Sequence, residues 1–296
     1  MKFSIVKHRK IWYTISGAIV IVSVLATAIY GLKFGIDFTG GSLLEIKTES
    51  VVQTGDVRLL LEEQGSKGVT VQSTDNNGLL IRMESLTEQT HQELLKKLSD
   101  KFGKVEELKF DSIGPVIGNE LRRTATTGVI ITLILIGLYV ALAFKKVTYP
   151  VSSWKFGTLT ILTAFHDVVV PVGVFAVLGH FYQWEIGTAF VAAILTVLGY
   201  SITDTIVVFD RTRENLLKRT YSSFEETVEH SIQQTIRRSL STSITTLLAL
   251  FAIFIFGGES TKPFALALIV GISVGTYSSI FLASPALITW EKFSRK

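Results

Sequence analysis

A chain of 296 residues with 48% hydrophobic content, only 18% charged residues and a mean hydropathy of +0.43 is too apolar for an ordinary soluble domain; its long uncharged runs indicate a polytopic membrane protein. The net charge of +4 gives no nucleic-acid signature, because the basic residues sit at the ends of the apolar runs. With no cysteine, disulfides and thiolate metal sites are excluded.

The opening MKFSIVKHRK leads into an apolar run over residues 11–30 that is long enough to span a bilayer and closes on no small-residue cleavage site. It reads as a retained first helix whose basic flank stays in the cytoplasm. GLKFGIDFTGG follows. To about residue 123 the pattern then alternates between period two and helical: a strand over 42–47, an amphipathic helix over 55–64, and strands 69–73 and 79–84 across Asp75-Asn76-Asn77-Gly78. A helix over 87–102 carries Leu94, Leu95, Leu98 and Phe102 on one face, and a last strand covers 105–110. The order β-α-β-β-α-β predicts a small ferredoxin-like α+β domain on the outer side. The expected division is therefore 1–34 for the N-terminus and first helix, 35–123 for the external domain, and 124–296 for the remaining helices.

Further spans are expected at 126–144, 156–178, 186–209, 240–256 and 264–290, giving six transmembrane helices. Lys145, Lys146, Lys155, Arg211, Arg213, Lys218, Arg219, Arg237, Arg238, Lys292, Arg295 and Lys296 fall on the side of the N-terminus, whereas the opposite short loops carry only Lys262, so both termini are expected in the cytoplasm. Residues 216–236, within a cytoplasmic stretch 210–238, look amphipathic and are expected along the membrane surface.

The candidate chemistry centres on VLGYSITDTIVVFDRTREN, which places Asp204 inside an apolar run. An ionisable side chain at bilayer depth costs at least ~2.5 kcal/mol, so such a residue marks a function before it marks packing. His166 and Asp167 lie near the middle of the third span. Adjacent helical positions point about 100° apart, so the pair does not suggest a two-ligand metal site; proton relay and interhelical hydrogen bonding are the competing roles. Around Asp204, Tyr200, Ser201, Thr203 and Thr205 supply hydroxyls, and Ser239, Ser241, Thr242, Ser243, Thr245 and Thr246 open the fifth span after Arg237-Arg238. That set outlines a hydroxyl-lined route with an arginine able to pair with an ionised carboxylate. GLKFGIDFTGG lacks the Lys-Ser/Thr of a phosphate loop and follows a span rather than a strand, so Gly35, Asp37, Gly40 and Gly41 are read as a tight turn or hinge. Two intramembrane aspartates also suggest an aspartyl protease, but the glycine-aspartate arrangement of that class is missing at Asp204. No nucleophile–base set or nucleotide motif points to an enzyme or a cofactor.

Five stretches taken together, GIDFTGG, IGPVIGNELRRTA, FHDVVV, VLGYSITDTIVVFDRTREN and RRSLSTSITTLLAL, resemble the smaller, SecF-type half of the SecD/SecF protein-export family, and the resemblance covers nearly the whole chain. It implies membership of the resistance-nodulation-division superfamily and a pseudo-symmetric assembly with SecD. It further implies work alongside the SecYEG channel and the SecA ATPase on a preprotein, with YajC and YidC as further candidate partners. A proton gradient, or in some species sodium, drives the external domains of such proteins. The helix-4 carboxylate implicated in ion conduction corresponds to Asp204, and the helix-5 arginine to Arg238. Two other readings share these residues: a half-transporter expelling a small molecule or lipid, and a structural subunit in which Asp204 is helix glue.

Overall fold

The computed structural model describes residues 4–63, 65–66, 68–74, 77–145 and 151–294. The expected hairpin residues Asp75 and Asn76, the helix end at Gln64, and Lys146, Arg295 and Lys296 lie outside the described residues. Six helices are long and apolar enough to cross a membrane among those described, so the chain is a multi-pass membrane protein. It divides into two compact units, Phe34–Thr126 and the combined segments Met1–Lys33 and Thr127–Lys296.

In the smaller unit, α2 (Ile36–Thr39) is a single turn between Gly35 and Gly40. It leads into β1 (Gly41–Thr48), α3 (Thr54–Glu63), β2 (Thr70–Thr74), β3 (Gly78–Met83), α4 (Glu88–Phe102) and β4 (Val105–Ile113). The four strands pair antiparallel in the order β2-β3-β1-β4, the ferredoxin-like arrangement. Alternation sets the inner face: Leu44 and Ile46 from β1 and Leu79, Ile81 and Met83 from β3 are buried against Val57, Leu61, Leu94 and Leu98 of the two helices. Each such side chain contributes about 1.5–3 kcal/mol by leaving water. Thr87 caps α4, its Oγ1 accepting from the backbone N–H of Thr90 at 3.3 Å. β4 is longer than the expected 105–110 strand because it continues to Ile113 beside Gly41, past an irregularity opposite Glu45 and Ile46.

The larger unit begins with α1 (Arg9–Tyr30) and continues with the second part of α5 (Pro115–Ala143), then α6 (Ser153–Tyr182), α7 (Thr188–Leu217), α8 (Phe224–Phe256) and α9 (Lys262–Ser278). A π-turn, Ser279–Ala283, joins α9 to α10 (Ser284–Ser294), and these three pieces make the last span. Half of the apolar windows of α6 and α7 and 61% of the last span are buried inside the protein, against 17% for α1 and 11% for α5. The centre of the unit is therefore α6, α7 and the last span. Phe156 and Phe209, 5.1 Å apart, belong to one apolar cluster with Phe144, Leu198 and Leu287.

Two glycines explain how closely α7 and α9 approach. A Cβ on Gly271 would stand 2.3 Å from Val197, and one on Gly275 would stand 2.7 Å from Ser201 Cβ, so this small-xxx-small pair brings the backbones together. Gly173 does the same for α6 against Ser23 of α1.

The expectation of a separate surface helix over 216–236 is corrected. Ser223 caps a continuous 33-residue helix by accepting from the Glu226 N–H, and no glycine or proline interrupts the sequence from Phe224 to Phe256. At 1.5 Å per residue α8 is about 50 Å long, against a ~30 Å hydrocarbon core, so its polar first turns project beyond the bilayer. Asn215 donates from Nδ2 to Ser231 Oγ at 2.9 Å, and Glu229 accepts the N–H of Val6 at 2.8 Å. Arg9 and Lys292 both pair with Glu225. The second span likewise starts before the expected residue 126, at Pro115, because proline at the head of a helix loses no hydrogen bond.

Candidate functional site

α6 carries Asp167 close to its middle, fully buried, and three polar side chains from three elements converge on it. His166 Nδ1 lies 2.9 Å from Oδ1, Ser278 Oγ donates to Oδ2 at 2.9 Å, and Ser201 Oγ donates to Oδ2 as well. The rotation between adjacent helical positions did not keep His166 and Asp167 apart, since the two side chains bend toward each other from the same helix. Pro171, four residues on, has no N–H to offer the Asp167 carbonyl, which loosens α6 at this residue.

Asp204 is on α7, three residues beyond Ser201, and is 7% exposed. Ser239 of α8 and Thr276 of α9 flank its carboxylate, and Arg238 is the cation acting on it. Nevertheless, among the described residues, Oδ2 of Asp204 and Oγ of Ser239 are buried without a partner at hydrogen-bond distance. A buried carboxylate oxygen left unbonded is costly in a finished packing arrangement but suits a group that takes up and releases a small cation. Thr276 is also within 2.6 Å of Ser243 Oγ, and the Tyr200 hydroxyl donates to Ser243 at 3.4 Å, extending the polar zone along α8.

The sequence-derived candidates thus divide. His166, Asp167 and Ser201 form one bonded cluster. Asp204 occupies a neighbouring position between α7, α8 and α9. Thr203 is exposed and donates only to the Gly199 carbonyl of its own helix, so it does not join them. Ser241, Thr242 and Thr245 are exposed as well, whereas Ser239 and Ser243 are buried and Thr246 is half-buried beside Tyr200; only half of the hydroxyls expected on this helix turn inward. Arg238 is exposed at the surface of α8 and reaches Asp204 electrostatically; no ion pair joins the two among the described residues. Among the described residues no three His, Cys, Asp or Glu side chains gather as a metal site.

Sequence reasoning missed Thr276, Ser278, Ser279 and Ser284 on the last span. Their signal was a run of hydroxyl residues, Thr276-Tyr277-Ser278-Ser279, with Ser284 directly before Pro285, in an apolar helix.

The double glycine lies in the smaller unit. Gly35 precedes α2, and Asp37 is half-buried in its single turn. Gly40 has φ +75° and Gly41 φ +125°; a Cβ on Gly40 would meet Pro115 Cα at 2.7 Å and one on Gly41 the Met83 carbonyl at 2.8 Å. The pair is a close-packed turn clamped by β3 and the head of α5.

The chain matches the family described as "Protein export membrane protein SecD/SecF, C-terminal" over residues 93–293, and the "SecD/SecF GG Motif", which includes Gly40 and Gly41, over residues 26–50. The protein translocase subunit SecF of Thermobaculum terrenum is 41% identical, over 97% of this chain and 93% of its own length. The protein translocase subunit SecDF of Thermus thermophilus is 36% identical over 94% of this chain, which corresponds to 37% of the relative. The crystal structure of SecDF from a Thermus species, described as a translocon-associated membrane protein, has a TM-score of 0.85 at 34% identity over 99% of this chain, and this chain spans 39% of that one. A crystal structure of SecDF in a super-membrane-facing form gives a TM-score of 0.69 at 34% identity over 100% of this chain. With two thirds of its length inside the SecD/SecF profile and a SecF relative matched almost end to end, the chain belongs to the SecD/SecF family of protein export membrane proteins.

Proposed function

We propose that this chain is a subunit of the bacterial protein-export machinery which, with SecD, uses a transmembrane ion gradient to promote movement of preproteins across the cytoplasmic membrane, and that Asp204 is its coupling carboxylate. The observation that carries the reading is the unbonded, buried Oδ2 of Asp204 at the meeting of α7, α8 and α9, in a chain whose relatives are named as translocase subunits. A carboxylate serving only as helix glue would have its oxygens bonded, as those of Asp167 are.

Ionised, Asp204 attracts Arg238 across the α7–α8 contact; with a proton or a sodium ion on the carboxylate that attraction falls, and the two helices are free to repack. A carboxylate flanked by two hydroxyls suits either ion. SecD is the expected partner because the Thermus SecDF relative carries the matching region within a single longer chain. SecYEG and SecA are the expected channel and motor, a preprotein the cargo, and YajC and YidC accessory partners. Positive-inside asymmetry assigns Arg9, Lys10, Lys145, Lys155 and Lys292 to the cytoplasmic face, with both termini there and residues 35–123 outside.

The test is translocation of a preprotein into inverted vesicles containing this chain and SecD, with and without an imposed proton or sodium gradient. Wild type is stimulated by one of the two gradients, and Asp204→Asn assembles with SecD but is not. Equal stimulation of both proteins would remove Asp204 as the coupling residue.

A further inference from the structure

The last span contains one turn of π-helix, and its first and central residues touch different helices. At the first end, Ser279 Oγ donates to the Ser201 carbonyl of α7 at 3.1 Å and stands 2.8 Å from Thr205 Oγ1. Two residues on, the Phe281 ring packs 4.6 Å from Trp12 of α1. Tyr277, just before the turn, donates from its hydroxyl to the Trp12 carbonyl at 3.3 Å and lies 3.1 Å from Ser16 Oγ, while Tyr13 bonds Thr289 at 2.8 Å. Ser201 and Thr205 bracket Asp204 on α7.

The turn is compliant for local reasons. Pro285 has no N–H for the Phe281 carbonyl, and the Ser279 carbonyl accepts from Ser284 Oγ at 2.9 Å. Each hydroxyl at the α7 contact already has a second acceptor within its own helix: Ser279 has the Gly275 carbonyl at 2.9 Å, and Thr205 has that of Ser201 at 3.2 Å. Switching partner strands no hydrogen. Gly271 and Gly275 leave α7 no room to move toward α9, so a displacement of α7 that keeps this contact runs along or around it and carries Ser201 and Thr205 past Ser279. Asp167, bonded to both Ser201 and Ser278, links α7 to the last span beside this contact.

We propose that the π-turn Ser279–Ala283 is the mechanical transmission between α7 and α1: displacement of α7 at Asp204 passes through Thr205 and Ser201 to Ser279, and leaves through Phe281 to Trp12. This rests on Asp204 being the coupling carboxylate. α1 then runs through Tyr30 and Gly31 into the segment that begins the smaller unit, so movement of α1 is movement of its chain entry.

Trp12 is the natural reporter. The full chain carrying Trp154→Phe, Trp184→Phe and Trp290→Phe, reconstituted in lipid vesicles, keeps one tryptophan against the turn. Its emission is followed while pH is lowered and, separately, while sodium is added at fixed pH. Occupancy of Asp204 is followed in parallel by the infrared carboxyl stretch that Asp204→Asn removes. The expected result is an emission change in the parent that Asp204→Asn abolishes. The double variant Ser279→Ala, Thr205→Val reduces that change several-fold although the Asp204 carboxyl signal titrates as in the parent. Phe281→Leu, which leaves the Ser279 hydrogen bonds to α7 in place, gives the same loss. A silent Trp12 in the parent, or a full response in the double variant and in Phe281→Leu, overturns the proposal. Loss in those two variants with an intact response in Asp204→Asn upholds the transmission and instead removes Asp204 as its input.

Discussion

Ser201 and Asp204 stand three residues apart on α7 and have opposite bonding: Ser201 donates to the buried Asp167, whereas Oδ2 of Asp204 has no partner. Two carboxylates in neighbouring positions therefore differ in what their substitution is expected to cost. Asp167→Ala strands His166 Nδ1 and Ser201 Oγ and opens a cavity, and is expected to cost about 2–4 kcal/mol. Asp167→Asn keeps one acceptor and costs less, while Asp204→Asn gives up no hydrogen bond at Oδ2 and stays within about 1 kcal/mol of the parent. Thermal unfolding of the three variants in one detergent should rank them in that order. Equal losses for Asp204→Asn and Asp167→Ala would mean that Asp204 is a packing residue after all.

The parts of the fold legible in the sequence were those written in periodicity. Leu44 and Ile46, then Leu79 and Ile81, alternate as a half-buried sheet must, and uncharged runs announced six spans. The continuity of α8 was written too, in Ser223-x-x-Glu226 and an unbroken run to Phe256, but its polar first half drew attention to charge rather than to the missing helix breaker. The site was legible where a charge sits in apolar surroundings, as at Asp167 and Asp204. It was not legible at Ser278, Ser279 and Thr276, because small hydroxyl residues are ordinary in buried helices and only the fold shows which carboxylate they meet. Thr203 and Ser201 look equivalent in sequence; helix phase alone puts one outside and the other against Asp167.

The double glycine makes a sharp stability prediction. Ala at position 40 or 41 faces a positive φ and a contact under 3.0 Å with backbone, neither of which a side-chain rotation relieves. Gly40→Ala and Gly41→Ala should each destabilise the smaller unit by about 1–3 kcal/mol. Limited proteolysis of the intact protein should show faster cleavage within residues 34–126. Ala at position 55, where a Cβ meets nothing within 4 Å, is the control.

Glu88, at the start of α4 and fully exposed, has its carboxyl held below the ordinary value of 4.5, first by the hydrogen bond from Gln92 Nε2 at 2.7 Å and then by His91. A carboxyl depressed in the folded state adds stability above its unfolded pKa and loses it as pH falls through the folded one. Its contribution therefore fades on acidification below 4.5. In Gln92→Ala the Glu88 titration midpoint, read from its carboxyl carbon by NMR, should rise back toward 4.5. An unmoved midpoint would assign the depression to the helix N-terminus and His91 alone.

Gly275 offers the most direct probe of how packing holds the site. A methyl group there would stand 2.7 Å from Ser201 Cβ and 3.0 Å from its Oγ, on the side chain that bonds Asp167. Gly275→Ala must therefore push α7 away from α9 or turn Ser201 off the carboxylate, at a cost of about 1–3 kcal/mol from overpacking. Glycine to alanine inside a helix otherwise gains about 0.5–1 kcal/mol, and Gly17→Ala on α1, with open space around it, should show that gain. The two substitutions are chemically identical and should shift the melting temperature in opposite directions. If both raise it, α7 and α9 have slack between them, and Ser201 is free to leave Asp167 without strain.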